Sequence, residues 1–370
     1  MKKDLCVIGA GPAGLFASLH IKSRDVFLIE EHKSLGHPLH CTGLVGLEVK
    51  EVIQQKLSRK LIDGVYNEIE FNIVGLGKFK ISMSLPFIFH INRSELEWKL
   101  YEKISSRAEL LNNVRGKPGD KLTKIILKDS EVECQDVLAS DGALSIFRRK
   151  YLKSNLSFYI GFQGLFKTKN TPSNKITVTY INNNHLLFHW IVPLDHDLVL
   201  SGYISKKPLS QTITEKLMIL NQYQPVEKKI YFGGPIPVAP PLKRPVLGGH
   251  LYFFGDSVPL VKPYTGGGLY NIVRLSPSIA KALDEESPEV YIRDYLRKTY
   301  INLKAEYHLT RLFEQLRYWI PAPFVFFSSK LGYLMPEDYD NHFKILLKTV
   351  PFTPLAPLYL LSYTRRGRFQ

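Results

Sequence analysis

Asp4-Leu-Cys-Val-Ile8 is a short apolar run that reads as a buried strand, and it passes straight into Gly9-Ala-Gly-Pro-Ala-Gly14. Ala13, Leu15, Phe16 and Leu19 then recur at helical spacing, and Asp25–Ile29 reads as a second strand ending on Glu30. Strand, glycine turn, helix and strand in that order commit the N-terminus to a parallel βαβ unit. Each glycine has its own physical reason. Gly9 permits the tight turn, Gly11 leaves the backbone open to a pyrophosphate, and Gly14 lets the helix pack against the strand. The helix N-terminus turns its free N–H groups and positive dipole end toward the phosphates. Pro12 fits near the first helical position, where a missing N–H costs nothing. Glu30 stands at the spacing expected of a carboxylate that holds ribose hydroxyls. The glycine pattern alone is weak, but flanking strands, helix and acid together form a dinucleotide-binding fingerprint.

A chain of 370 residues can build a sizeable core, in two domains. Its 49 Lys+Arg against 34 Asp+Glu give a net charge of +15, which suits nucleic acid, an anionic membrane or simple solubility. No lysine-rich tail, zinc finger or RNA-binding motif is present, so nucleic acid is not expected as a partner. Cys6, Cys41 and Cys134 are too few and too scattered for a disulfide framework, which predicts a reducing, cytoplasmic compartment. The first strand belongs to the fold and does not read as a signal peptide. No apolar run approaches the ~18 residues of a membrane span. His37, His40 and Cys41 lack a fourth ligand and a standard spacing, so no metal is expected there.

The organisation reads as α/β mixed with antiparallel sheet. Lys78–Met83 and Phe87–Ile91 alternate as strands, and Asn92 or Ser94 caps a helix running to about Arg107. Lys121–Leu127 and Glu131–Ala139 form a hairpin around Asp129-Ser130. Strands are expected near 158–167, 175–181, 186–192 and 197–204, and a second βα unit over 250–283, its helix kinked at Pro277. From about 285 the chain is helical and then rich in Pro and aromatics.

Three further stations follow. Val137-Leu-Ala-Ser-Asp-Gly142 carries a strand into a turn at Asp141, with Ser145 and Arg148 on the helix after it. Leu251-Tyr-Phe-Phe-Gly-Asp256 ends a strand on an acid. Tyr264-Thr-Gly-Gly-Gly-Leu269 is a second glycine-rich helix entry. Each alone is ordinary turn chemistry. In this order, from residue 1 to about 283, they resemble the FAD-dependent monooxygenase-type flavoprotein superfamily. Two local signals are similar to its geranylgeranyl reductase family. His40-Cys-Thr-Gly-Leu-Val-Gly46 resembles that family's Cys-x-Gly-hydrophobic loop beside the flavin. Phe188-His-Trp-Ile-Val-Pro193 resembles its substrate pattern Pro-x-x-Tyr-x-Trp-x-Phe-Pro. Trp190 and Pro193 match, while His185, Phe188 and Val192 depart from it.

The resemblance implies an FAD-binding Rossmann-like domain, discontinuous over 1–66, 93–150 and 245–285. It implies an antiparallel-sheet substrate domain over 67–92 and 151–244, and a helical C-terminal region over 286–370. It implies that Gly9, Gly11, Pro12, Ala13, Gly14 and Glu30 hold the pyrophosphate and adenosine ribose. Arg93, Asp141, Gly255 and Asp256 would lie along the phosphates and ribityl chain. Gly266, Gly267 and Gly268 would let backbone approach the isoalloxazine, and Cys41, Thr42, Gly43, Leu44 and Val45 would line one face of the ring. The implied activity saturates carbon–carbon double bonds of an isoprenoid lipid by hydride transfer from reduced flavin. Phe188 and Trp190 would line the alkene channel, Trp190 stabilising positive charge as an aromatic face does. Cys41 or a bound water would supply the proton, and Cys41 equally reads as a small packed hydrophobe. No second glycine fingerprint is present, so the electrons would come from NAD(P)H bound transiently or from a redox protein such as ferredoxin.

The alternatives are a flavin monooxygenase or halogenase on the same scaffold, though the halogenase motif Trp-x-Trp-x-Ile is missing, and a non-catalytic flavin electron carrier. Segments 318–327 and 351–361 are aromatic and Pro-broken, with Lys330, Lys344, Lys348, Arg365, Arg366 and Arg368 around them. They suit peripheral docking on an anionic membrane or a helical layer packed on the core.

Overall fold

Leu5, Cys6, Val7 and Ile8 are all buried, and so are all four residues of Val26–Ile29. Strands apolar on both faces need a covering layer on each side, and parallel sheets are built that way. The computed structural model describes residues 1–169, 175–195 and 197–349. In it the strands Leu251–Phe253, Glu131–Ala139, Lys2–Ile8, Val26–Ile29 and Ala108–Leu111 lie side by side in that order, all parallel. Short antiparallel strands extend this sheet, Val246–Leu247 beside Leu251–Phe253 and Lys124–Ile126 beside Glu131–Ala139. The helices Pro12–His20, Arg93–Ile104 and Leu269–Asp284 pack together on it, and their apolar residues join its core. Leu269–Asp284 runs on past Pro277.

A second sheet takes the order Pro225–Val238, Ser157–Thr168, Leu198–Ser205, Leu186–Pro193, Lys175–Tyr180, Glu68–Ile73 and Gly77–Ser82. It is antiparallel except between Lys175–Tyr180 and Glu68–Ile73. Pro225–Val238 escaped the sequence reading because three prolines and two glycines interrupt its pattern. The structure tolerates them there because this is an edge strand. Ile88–Ile91 does not join this sheet; it pairs with Leu44–Val45 and Ile62–Tyr66 in a third, small one. Helices Pro288–Tyr295, Ile301–Gln315, Pro321–Lys330 and His342–Thr349 follow. Pro321–Lys330 packs on Gly77–Ser82, with the Phe79 and Phe326 rings 5.6 Å apart. Segment 351–361 and Arg365, Arg366 and Arg368 lie outside the described residues.

One expectation is corrected. Cys6 and Cys134 form a disulfide, with Cα atoms 5.9 Å apart and both residues buried. They are 128 residues apart in sequence but sit on hydrogen-bonded neighbouring strands, a proximity that counting cysteines does not reveal. The argument from cysteine usage to a reducing compartment therefore falls away. Cys41 is free. Among the described residues no helix is long and apolar enough to cross a membrane.

Candidate cofactor and substrate site

The three fingerprint glycines do different work. Gly9 has φ +94, and a Cβ on it would lie 2.5 Å from the Ser140 carbonyl oxygen. A Cβ on Gly14 would lie 2.2 Å from the Gly9 carbonyl oxygen and 2.7 Å from Ser140 Oγ. These two serve the fold, and Ser140 Oγ secures the turn by donating to Ile8 and Gly9 carbonyls at 2.8 and 2.9 Å. Gly11 has φ −76, and nothing lies within 4 Å of a Cβ built on it. The fold does not need glycine there, and the space it leaves opens on the cavity. Gly11 caps Pro12–His20 with no side-chain acceptor and no acid in the first turn. The helix N-terminus is left free for an anion.

Glu30 is anchored to this turn. Its Oε2 accepts from the Ala10 N–H at 2.8 Å, and its Oε1 accepts from the His32 N–H at 2.9 Å and meets His32 Nδ1 at 2.6 Å. On the opposite flank, Gly255 (φ +74) lies so close to the helix that a Cβ on it would meet Ala13 Cβ at 2.5 Å. Asp256 follows, and burial pushes its carboxyl up to about 6 while Arg148 draws it back. Arg148 donates to the carbonyls of Ala143, Asp256 and Ser257, tying the two strand-end turns together. Asp141 Oδ2 accepts from the Ile146 N–H at 2.9 Å, and Oδ1 is buried with no partner among the described residues. Burial raises the Asp141 carboxyl above its ordinary value against these hydrogen bonds. Gly268 caps Leu269–Asp284, again without a side-chain acceptor or a first-turn acid.

Asn92 caps the helix Arg93–Ile104, its Oδ1 accepting from the Ser94 N–H at 3.2 Å. Arg93 pairs with Glu97 and faces the Cys41 thiol. Burial opposes the guanidinium charge, but Glu97 and Cys41 outweigh it and hold the proton more firmly than usual. The Cys41 Sγ accepts from the Gly43 N–H at 3.3 Å. Thr42 Oγ1 donates to Gln163 Oε1 at 2.9 Å, and His40 Nδ1 lies 2.8 Å from the Gly233 carbonyl oxygen. The loop therefore bridges the small sheet and the large antiparallel one.

Phe188 and Trp190 alternate onto one face of their strand, ring centroids 5.7 Å apart. A Cβ at Gly202, the cross-strand partner of Trp190, would lie 2.7 Å from the indole, so glycine there makes room for it. Phe188 stacks on Tyr318 at 6.2 Å, and Tyr318 stacks on Tyr264 at 4.5 Å and 4°. Tyr264 shares a hydrogen bond with Tyr180. The result is a continuous aromatic wall from the antiparallel sheet to the second glycine turn.

A cavity of about 930 Å³ joins these parts. Gly9, Gly11, Pro12, Ala13, Glu30, Cys41, Thr42, Leu44, Arg93, Asp141, Phe188, Trp190, Asp256 and Gly266 to Gly268 all border it. Gly14, Gly43 and Gly255 stand behind the wall and shape it. Pro321, Ala322 and Val325 also border it, so segment 318–327 forms part of the enclosure. Sequence reasoning missed Gln163, Tyr180, Lys262, Glu306 and His342. Only Lys262 carried a signal, its closeness in sequence to Tyr264-Thr-Gly-Gly-Gly268.

No protein-family model matches the chain. An uncharacterized protein of Methanocaldococcus jannaschii is 25% identical over 282 residues, covering 72% of this chain and 71% of that protein. Among solved structures, a geranylgeranyl bacteriochlorophyll reductase-like protein of Thermoplasma acidophilum superposes with a TM-score of 0.68 at 17% identity. It covers 98% of this chain and 99% of its own. PqsL of Pseudomonas aeruginosa, a probable FAD-dependent monooxygenase, gives 0.64 at 16% identity over 85% of this chain and 96% of its own. CmlS, a flavin-dependent halogenase, gives 0.61 at 15% identity over 99% of this chain and 72% of its own. The chain has the mixed α/β fold that these proteins share.

Proposed function

We propose that this chain binds FAD and is a flavin-dependent oxidoreductase, and more narrowly that it saturates double bonds of an isoprenoid lipid. The observation that carries this reading is the single cavity that joins a dinucleotide cradle to an aromatic wall. The residues present fit FAD. Gly11 faces open space where a Cβ would intrude, two helix N-termini lack capping side chains, and Glu30 and Asp256 stand on opposite flanks of the fingerprint. Gly11 to Ala13 would take the pyrophosphate, Glu30 the adenosine ribose, and Asp256 the ribityl hydroxyls. Bound there, FAD supplies hydride chemistry at its ring. The protein's own residues position and enclose the substrate. Phe188, Trp190 and Tyr264 border the cavity and would exclude water and offer ring faces to positive charge developing on an alkene carbon. Cys41 borders the cavity, where its thiol would be within reach of an alkene on the ring face.

A monooxygenase reading is supported by the structural likeness to PqsL, and a halogenase reading by that to CmlS. One experiment separates the readings. The protein is purified, loaded with FAD, reduced without oxygen and mixed with a geranylgeranyl lipid. Oxidation of the flavin together with a mass gain of two hydrogens in the lipid supports the reductase. No lipid reduction, with rapid flavin oxidation on admitting oxygen and an oxygenated product, supports the monooxygenase. The donor that reduces the flavin, NAD(P)H or ferredoxin, is read by which of them bleaches the flavin in the same cell.

A further inference from the structure

Lys262 is 8% exposed and borders the cavity. A buried ammonium carries three N–H groups that need acceptors. Among the described residues Nζ has one long hydrogen bond, to the Asp340 carbonyl oxygen at 3.4 Å, and stands 3.9 Å from Asp340 Oδ1. Asp340 Oδ1 already accepts from the Gly46 N–H at 3.0 Å. The Tyr339 and Tyr270 rings lie 5.8 and 6.0 Å from Nζ. A buried cation thus keeps unused donors beside a cavity.

The cradle says what meets them. Glu30 lies on the Val26–Ile29 side of the fingerprint, and Asp256 lies on the Leu251–Phe253 side. Along that second flank the walls are in contact. Gly255 abuts Ala13, a Cβ on Gly268 would lie 3.5 Å from Asp256 Oδ1, and one on Gly267 would lie 3.0 Å from Lys262 Cε. A dinucleotide with its pyrophosphate on Pro12–His20 and its adenosine ribose at Glu30 must run its other half along this flank. Its ring end would then lie toward the glycine turn and the ammonium.

When a hydride donor reduces isoalloxazine, two electrons and one proton arrive at N5, and the remaining negative charge rests on N1 and the C2 carbonyl. Resting on the FAD reading above, we propose that Lys262 is a positioning residue whose ammonium donates to that pyrimidine edge and favours the reduced, anionic ring. Asp340, Glu306 and His342 are titratable groups that face the ammonium. Burial raises the Asp340 carboxyl above its ordinary value, and pushes Glu306 on Ile301–Gln315 up to about 7 although Lys262 draws it down. Burial and then Lys262 keep His342 well below its ordinary value and neutral. Tyr270 and Tyr339 are the other titratable neighbours, and burial raises both.

The test loads wild type, Lys262→Met and Lys262→Arg with FAD. It measures flavin content, the two-electron midpoint potential at pH 8 by dye equilibration, and the spectrum of the fully reduced flavin against pH. Lys262→Met should keep its FAD but lower the equilibrium constant for reduction at least tenfold, about 30 mV for a two-electron couple. Its reduced flavin should protonate at a higher pH than in wild type, and Lys262→Arg should recover most of both shifts. FAD uptake with an unchanged potential in Lys262→Met overturns this assignment alone. If that variant does not fold, the wild-type spectrum decides. A reduced flavin that protonates at the same pH as free reduced FAD overturns the assignment. A wild-type protein that takes up no FAD overturns the cofactor reading and the assignment with it.

Discussion

Gly11 and Gly14 are separated by three positions and should fail in opposite ways. A Cβ on Gly11 meets nothing within 4 Å, and its φ of −76 is open to any residue. Gly11→Val therefore loses a modest cap preference and gains by restricting the unfolded chain. These cancel to within about 1 kcal/mol, and the apoprotein should melt as wild type does. Its isopropyl group occupies the space in front of the helix N-terminus. Losing two charge-assisted hydrogen bonds to a pyrophosphate costs about 3–6 kcal/mol, which weakens FAD by roughly 10²- to 10⁴-fold. Gly14→Ala places its methyl carbon 2.2 Å from the Gly9 carbonyl oxygen and 2.7 Å from Ser140 Oγ. The helix must move off the strand, at a cost of about 1–3 kcal/mol from overpacking. Urea unfolding of the apoproteins and flavin absorbance after gel filtration read the two effects separately. Gly11→Val that retains FAD at wild-type stoichiometry, or that unfolds as easily as Gly14→Ala, would refute the division of labour.

Other tests address the rest of the site. Asp256 has its folded carboxyl raised to about 6 from 3.8, so native protein binds more protons than unfolded chain between those values and apoprotein stability falls as pH rises through them. Asp256→Asn should therefore gain up to about 3 kcal/mol over wild type at pH 7 and nothing at pH 3, measured by urea unfolding; an equal gain at both pH values would contradict the burial argument. Cys41→Ala should slow oxidation of reduced flavin by a prenyl lipid while leaving FAD content intact, and an unchanged rate would reduce Cys41 to packing. Trp190→Ala should slow the same step, because it opens the wall beside Gly202 and removes a ring face; turnover equal to wild type would remove the indole from the alkene site. With a net charge of +15, sedimentation with anionic vesicles should exceed that with neutral ones and fall with salt, and equal binding to both would end the electrostatic part of a membrane role.

Some of this was legible in the sequence because it is local. A strand, a glycine turn and a helix entry are decided within a few residues, so the fingerprint, the Asp141 turn and the Gly266 to Gly268 turn could be read from spacing alone. The helix cap at Asn92 is of the same kind. What could not be read depends on which distant elements become neighbours. Cys6 and Cys134 meet because Lys2–Ile8 pairs with Glu131–Ala139. Pro225–Val238 is a strand only because an edge accepts prolines. Gln163, Glu306 and His342 reach the cavity from three elements with no shared motif.

The same distinction explains how the site divides its tasks. The cradle is built from turns within the parallel sheet, where backbone geometry is set by local sequence, and it contributes glycines, acids and helix ends. The opposite wall is assembled at long range, from the antiparallel sheet, the loop around Cys41 and the C-terminal helices. Tyr264 and Tyr318 join the two, their stacked rings holding the second glycine turn to the start of Pro321–Lys330 and each hydroxyl donating to the other's carbonyl. A change of substrate therefore needs no change in the cradle. Residues such as Phe188 and Trp190 can be exchanged while Gly9, Gly14 and Glu30 stay as the fold requires. The chain shares one fold with the reductase-like protein, PqsL and CmlS at 15–17% identity, and that fold does not choose among their reactions. The chemistry here must therefore be argued from the aromatic wall, Cys41 and Lys262, not from the glycine turns.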